Sequence, residues 1–343
     1  MTGASKRALS APSGLMKVVA VLASLGMLII NLVGFLDTQT NSALGCGTDW
    51  PLCNGAVIPS FTNEHVVIEF AHRMLVGGFA LIAGIFLIWS LVRYRALIEV
   101  KVLAWLGIGF IIVQSGLGAL AVLFVNPPAV LALHLGFGML AMVGVMLLTV
   151  VIFQLDARAH GRDNGLEWRQ QDQPTTRVWV IGIWIYTYIA IYWGSYVAFR
   201  GGGEACPTWP GCNGRLIPGF SGLVGLDFIH RLLAVGLAIL AVGLLVHLRT
   251  QKVRPDLRRG AFWFLLAVLA QIATGANLAL SHVATGPYML HITTLMGLFT
   301  VLSYLGLEVM PPSSGAIVPV EMPNSAGKAS VSTPPLRHEP SHR

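Results

Sequence analysis

Residues 66–92 read VVIEFAHRMLVGGFALIAGIFLIWSLV, a run whose only ionisable side chains are Glu69, His72 and Arg73 near one end. It is longer than the roughly 20 apolar residues an α-helix needs to cross the hydrocarbon core of a bilayer. A surface helix of a soluble protein is apolar along one stripe, whereas this segment is apolar all round. Residues 224–248 repeat the device as VGLDFIHRLLAVGLAILAVGLLVHL, with Asp227, His230 and Arg231 at the same spacing. The two runs decide the fold class, and the rest of the chain follows from them.

Working outward, apolar stretches mark eight spans at about 16–36, 66–92, 100–124, 128–153, 177–198, 224–248, 259–281 and 286–309. They are too long and too evenly apolar for barrel strands, so an all-α polytopic membrane protein is expected. Composition agrees: of 343 residues, 55% are apolar and 11% charged, against roughly 25% charged in an average soluble domain. Mean hydropathy is +0.71. A soluble globule and a disordered chain are both excluded. Residues 1–17 are basic and polar ahead of an apolar run, as in a signal peptide. No A-x-A-like cleavage site follows, so the run reads as a first span.

The net charge of +7 is a matter of topology. Of the 22 Lys and Arg, 18 fall before or at the start of span 1, in the 2–3, 4–5 and 6–7 connections, or in the tail. The opposite side has Arg200 and Arg215, while Arg73 and Arg231 lie inside spans. Positive residues stay on the cytoplasmic side, so both termini are expected there, in a multi-pass protein of the cell (plasma) membrane. The lipid bilayer is then the surrounding partner, and no nucleic-acid partner is expected.

The two halves repeat at an offset of about 157–160 residues, far longer than a solenoid period. GCGTDWPLCNGAVIPSF followed by EFAHR in the first half becomes ACPTWPGCNGRLIPGF followed by DFIHR in the second. Gln114, Gly118 and Ala119 match Gln271, Gly275 and Ala276, and His134 matches His291. Two pseudo-symmetric four-helix bundles follow. The expected organisation is a cytoplasmic N-terminus at about 1–15, halves at about 16–153 and 177–309, a cytoplasmic linker at about 154–176, and a disordered tail at about 310–343, rich in Pro and Ser.

Ionisable groups inside spans are expensive and mark functional sites. A lone histidine on an apolar face is more often a satisfied core residue than a ligand. Four at symmetric positions, His72, His134, His230 and His291, reverse that weighting. Two imidazoles per half suit haem iron better than zinc, since no further Cys or carboxylate completes a tetrahedral set. Glu69, His72 and Arg73 share one helical face, as do Asp227, His230 and Arg231. Each acid and arginine can be read as a neutralising ion pair. They can also be read as a carboxylate facing a macrocycle, with Arg73 and Arg231 as partners for haem propionates. His65, His160, His247, His282, His338 and His342 lack a symmetric mate and are read as structural or solvated.

Cys46 with Cys53, and Cys206 with Cys212, sit in the loops before spans 2 and 6, on the side where disulfides persist. One disulfide per loop is favoured over a shared zinc site, because C-x-x-C spacing is missing.

In order, GCGTDWPLCNG, EFAHR, LHLGFG, ACPTWPGCNG, DFIHR and LHITTLMG resemble the haem A synthase family over about residues 18–309. The resemblance implies oxidation of the C8 methyl of haem O to the formyl group of haem A, for terminal cytochrome oxidases. It implies a retained haem B on His230 and His291, and haem O as substrate on His72 and His134. Glu69 falls on the family's functional carboxylate, and Cys46 and Cys53 on its loop disulfide. Haem O synthase, oxidase assembly factors or a second copy of the chain are the partners that fit such an enzyme. The rival class is a dihaem cytochrome b that only transfers electrons. Such a protein stacks haems across the bilayer, whereas here each ligating helix offers one histidine, all toward the same face.

Overall fold

The computed structural model describes residues 11–61, 63–162, 174–251 and 253–310. Residues 1–10 of the expected N-terminus, 163–173 of the expected linker and 311–343 of the expected tail lie outside the described residues. Among the described residues there are eight α-helices: α1 Gly14–Gln39, α2 Glu64–Arg93, α3 Ile98–Leu123, α4 Pro128–Ala159, α5 Pro174–Phe199, α6 Gly222–Thr250, α7 Pro255–Leu280 and α8 Thr285–Val309. All eight are long and apolar enough to cross a membrane. The chain is an all-α polytopic membrane protein.

Local sequence sets the helix starts. Ser13 caps α1 by accepting from the Met16 amide at 3.2 Å, and Asn63 caps α2 by accepting from Val66 at 3.0 Å. Proline opens α4 and α7 in the first turn, where its missing N–H costs nothing. The chief difference from the sequence reading is α4, which runs beyond the expected end at about residue 153. Its added turns are polar enough to leave an apolar core, and Asp156 within them binds Lys17 at 2.9 Å and Arg162 at 3.3 Å.

Helices α1 to α4 close a ring of neighbours, and α5 to α8 close a second. The rings meet where α4 touches α5 and α8, and α1 touches α8. Lipid tails are as apolar as leucine, so close packing, not hydrophobic expulsion, holds such helices together. Small residues on α4 permit it. A Cβ on Gly144 would lie 3.5 Å from the Cα of Gly107, so α3 and α4 approach almost backbone to backbone. In α4 78% of the apolar window is buried, against 17% in α7, which makes α4 the central post and α7 an outer one. At the end away from the cysteine loops, buried Arg254 and Glu308 pair at 3.2 Å and tie α7 to α8.

Candidate functional site

Both cysteine loops close as disulfides, Cys46–Cys53 and Cys206–Cys212. All four cysteines are consumed, so the shared zinc site is discarded. Each loop turns on an Asn-Gly pair with positive φ, Asn54 (50°) with Gly55 (79°) and Asn213 (52°) with Gly214 (77°). That pair suits the tight turn that folds a short segment back on itself. The turns are closed by paired backbone hydrogen bonds between Cys53 and Ala56, and between Cys212 and Arg215.

The first loop is bound down onto α2. A Cβ on Gly45 would stand 2.5 Å from the carbonyl carbon of His65, so only glycine lets the loop lie against the start of the helix. That approach brings the Cys46 amide to donate to Glu69 Oε2 at 2.6 Å. Arg73 donates to the other Glu69 oxygen and, through Nη1, to the Leu52 carbonyl at 2.7 Å. Glu69, 2% exposed, is therefore held between a loop amide and a guanidinium. In the second loop the arginine dominates. Arg231 donates to Asp227 at 2.8 Å and to the carbonyls of Thr208, Cys206 and Gly211 at 2.7, 2.7 and 2.8 Å.

Below the loops lie the four histidines, each on an even-numbered helix and each against a glycine of the preceding helix. A Cβ would stand 2.9 Å from His72 Cε1 if built on Gly34, 3.0 Å from His134 on Gly118, 2.6 Å from His230 on Gly194, and 3.1 Å from His291 on Gly275. The four cradles hold the rings at equivalent depths in the two halves. His72 lies within electrostatic reach of His134, and His230 of His291. The Nδ1 atoms of His72 and His230 are buried without a hydrogen-bond partner among the described residues. Such orphaned nitrogens are rare and call for an explanation. His230 and His291 line one cavity of about 510 Å³ together with Asp227, Arg231 and Gln271, within the roughly 300–1,000 Å³ usual for ligand sites. Paired imidazoles, unused nitrogens and glycine cradles fit an iron macrocycle held from both faces.

Three further features involve Asp37, Asn31, Thr274 and Thr294, none of which the sequence singles out. Asp37, 5% exposed at the loop end of α1, is in electrostatic contact with Glu69 and Arg73 and has one oxygen without a hydrogen-bond partner among the described residues. Asn31 and Gln114 converge on Gly138, where a Cβ would stand 2.7 and 3.0 Å from their side-chain oxygens. Thr274 and Thr294 surround His291 with hydroxyls. Alignment of the two halves could have flagged the second and third, because Asn31 faces Ile191 in the repeat and the threonines face Leu117 and Phe137. Of the histidines read as structural, His65 bonds Ser42 at 3.0 Å, His160 the Asp156 carbonyl at 2.8 Å, and His247 Thr176 at 3.2 Å. His338 and His342 lie outside the described residues.

An eight-span bundle with two half-buried histidine pairs under disulfide loops defines a class of membrane protein built around paired imidazole sites. Residues 17–303 match the family model of the cytochrome oxidase assembly proteins, COX15-CtaA, and the chain belongs to that family. It is 37% identical over 285 residues to the protein named Heme A synthase of Symbiobacterium thermophilum, covering 83% of this chain and 92% of that one. The Heme A synthase of Alkalihalophilus pseudofirmus is 33% identical over 302 residues (87% and 98%), and that of Geobacillus kaustophilus 33% over 321 residues (93% and 98%). These relatives do not favour the electron-transfer cytochrome.

Proposed function

We propose that this chain is a haem A synthase, an oxidoreductase that converts the C8 methyl of haem O into the formyl group of haem A for terminal oxidases. The observation that carries this reading is the set of four histidine–glycine cradles, two in each half, in a chain whose relatives bear that enzyme's name over most of their length. The half at about 16–153 holds haem O as substrate between His72 and His134. The half at about 177–309 holds haem B between His230 and His291, where it supplies one-electron redox chemistry when bound. Both termini face the cytoplasm of the cell membrane, by the charge asymmetry of the connections. Haem O synthase is the fitting donor partner, because a greasy substrate gains from direct hand-over.

The reaction is two successive two-electron oxidations of one carbon, in each of which the oxygen of a water is added, two protons are released and two electrons pass to an electron acceptor from outside the chain. The methyl becomes an alcohol and then a gem-diol, which loses water to give the aldehyde. Positive charge builds on that carbon as electrons leave it. Glu69 is the carboxylate that stabilises this charge and accepts a proton from the attacking water. The Cys46 amide and Arg73 hold the carboxylate in place. Arg73 and Arg231, anchored by the loops, meet the propionates as charged donors. Trp209 and Pro210 of the second loop line the cavity of His230 and His291.

The test is Glu69→Ala, purified and its porphyrins extracted and identified by mass. Retained haem O with unoxidised or half-oxidised product is expected. Full haem A output from the variant would refute the role of Glu69.

A further inference from the structure

The two disulfide loops carry a shared apolar tip. After its Asn-Gly turn the first loop runs Ala56, Val57, Ile58, Pro59, Ser60, Phe61, and the second Arg215, Leu216, Ile217, Pro218, Gly219, Phe220. Val57 and Ile58 are 77% and 72% exposed, and Leu216 and Ile217 are 74% and 69% exposed. Phe61 and Phe220 are exposed as well. Scattered apolar side chains are normal on a surface, but a cluster of three large ones marks a place where something binds. Here the cluster recurs at the same three positions of both halves, and none of the six residues lines the cavity of His230 and His291.

The aromatic end of each tip reaches down along its helix. Phe61 packs on Phe70 of α2 with ring centroids 5.7 Å apart, and Phe220 on Phe228 of α6 at 5.5 Å. Phe70 lies four residues inside the apolar run that starts at residue 66, and Phe228 four inside the run that starts at 224. At roughly 1.5 Å of rise per residue, each aromatic partner sits about 6 Å below the start of its span. In the second half the main chain follows. A Cβ on Gly225 would collide with the Phe220 carbonyl carbon, so loop and helix touch there backbone to backbone. Phe61 and Phe220 remain exposed in these contacts, so each loop ends against the outside of its helix and not within the bundle. Val67 of α2 and Leu223 of α6, within a few residues of the contacts, already present apolar side chains to the lipid.

Charge points the same way. Residues 51–63 carry no charged side chain, and residues 210–226 carry only Arg215. Arg215 adjoins Leu216, and an arginine there lays its stem on apolar surface while its guanidinium stays among lipid phosphates. We propose that Val57, Ile58 and Phe61, and Leu216, Ile217 and Phe220, are a pair of lipid-inserting wedges that bury the tips of both disulfide loops at the boundary between headgroups and acyl chains. Apolar faces that lie in a membrane surface enter about 5–10 Å into that boundary, which matches the level of Phe70 and Phe228. Parallel repeats are related about the membrane normal, so the bilayer meets both tips at one level. The wedges anchor the loops whose Cys46 amide holds Glu69 and whose Cys206, Thr208 and Gly211 carbonyls hold Arg231.

All four cysteines of the chain are held in disulfides, so an added cysteine supplies a single free thiol for a nitroxide label. The experiment labels Ile58→Cys and Ile217→Cys in the full chain, reconstituted in vesicles of phosphatidylethanolamine and phosphatidylglycerol. Asp49→Cys, at an exposed polar position of the first loop, is the water-facing reference. Power-saturation spectra compare collisions with oxygen, which concentrates in lipid, and with a hydrophilic nickel chelate, which stays in water. Oxygen is expected to outweigh nickel at both tips, and the ratio to invert at the reference. Val57→Cys and Leu216→Cys repeat the reading one position away, so that no single poorly folded variant decides it. Nickel outweighing oxygen at either tip would place that tip in water and overturn the proposal. A tip that neither reagent reaches would be covered by protein, and broadening that unlabelled copies dilute away would mark a second copy; either result overturns it too.

Discussion

The two halves share a scaffold and differ in which charge the loop grips. In the first, the Cys46 amide donates to Glu69, so the loop holds a carboxylate ready beside the histidine pair. In the second, Arg231 gathers the carbonyls of Cys206, Thr208 and Gly211 as well as Asp227, so the loop is stapled through a cation and the shorter acid serves it. Polar groups deeper in the bundle also trade places. Asn31 in the first half faces Ile191 in the second, whereas Thr274 and Thr294 face Leu117 and Phe137. A duplicated bundle thus keeps the histidine–glycine cradle and redistributes its polar groups, with a loop-bound carboxylate on one side and an arginine-stapled loop on the other.

The widest gap between the halves should appear on removing the acids. Glu69→Gln is expected to lower formyl production about a hundredfold with haem retained, by the usual weight of a general base. Asp227→Asn should cost less than about tenfold. Product mass spectrometry on both variants checks this, and equal losses would erase the division of labour. Opening the loops is the next contrast. Cys46→Ser/Cys53→Ser and Cys206→Ser/Cys212→Ser should each destabilise by about 2–3 kcal/mol, read as the thermal midpoint in detergent. Activity should fall further in the first pair, because that loop carries the amide that holds Glu69. The finest contrast lies in the cradles. Gly194→Ala places a methyl where His230 Cε1 would be 2.6 Å away, while Gly275→Ala leaves 3.1 Å to His291. Overpacking of this kind costs about 1–3 kcal/mol, so bound haem should drop more in Gly194→Ala than in Gly275→Ala, measured by absorbance per chain.

Much of this was legible in the sequence, because a span announces itself by length and uniform apolarity. All eight helices lie where those runs lie, and the histidines, acids and cysteines stand out as polar letters in apolar text. What remained hidden depends on neighbours from other helices. Glycine is common in membrane helices, so nothing in one segment marks Gly34 or Gly194 as the bed of an imidazole on the next helix. Asn31 and Thr274 read as ordinary small polar residues until α1 meets α4 beside Gly138 and α7 meets α8 beside His291. The overrun of α4 was missed for a related reason: apolarity ends near residue 153, but Asp156 finds Lys17 across the bundle and the helix continues.

The division into a substrate site and a resident site is tested most directly by extracting the porphyrins of His72→Ala and His291→Ala and weighing them. His72→Ala is expected to keep haem B and lose haem O and haem A, and His291→Ala to lose haem B. If both variants lose the same porphyrin, or both keep the full set, the two histidine pairs do not hold two different haems.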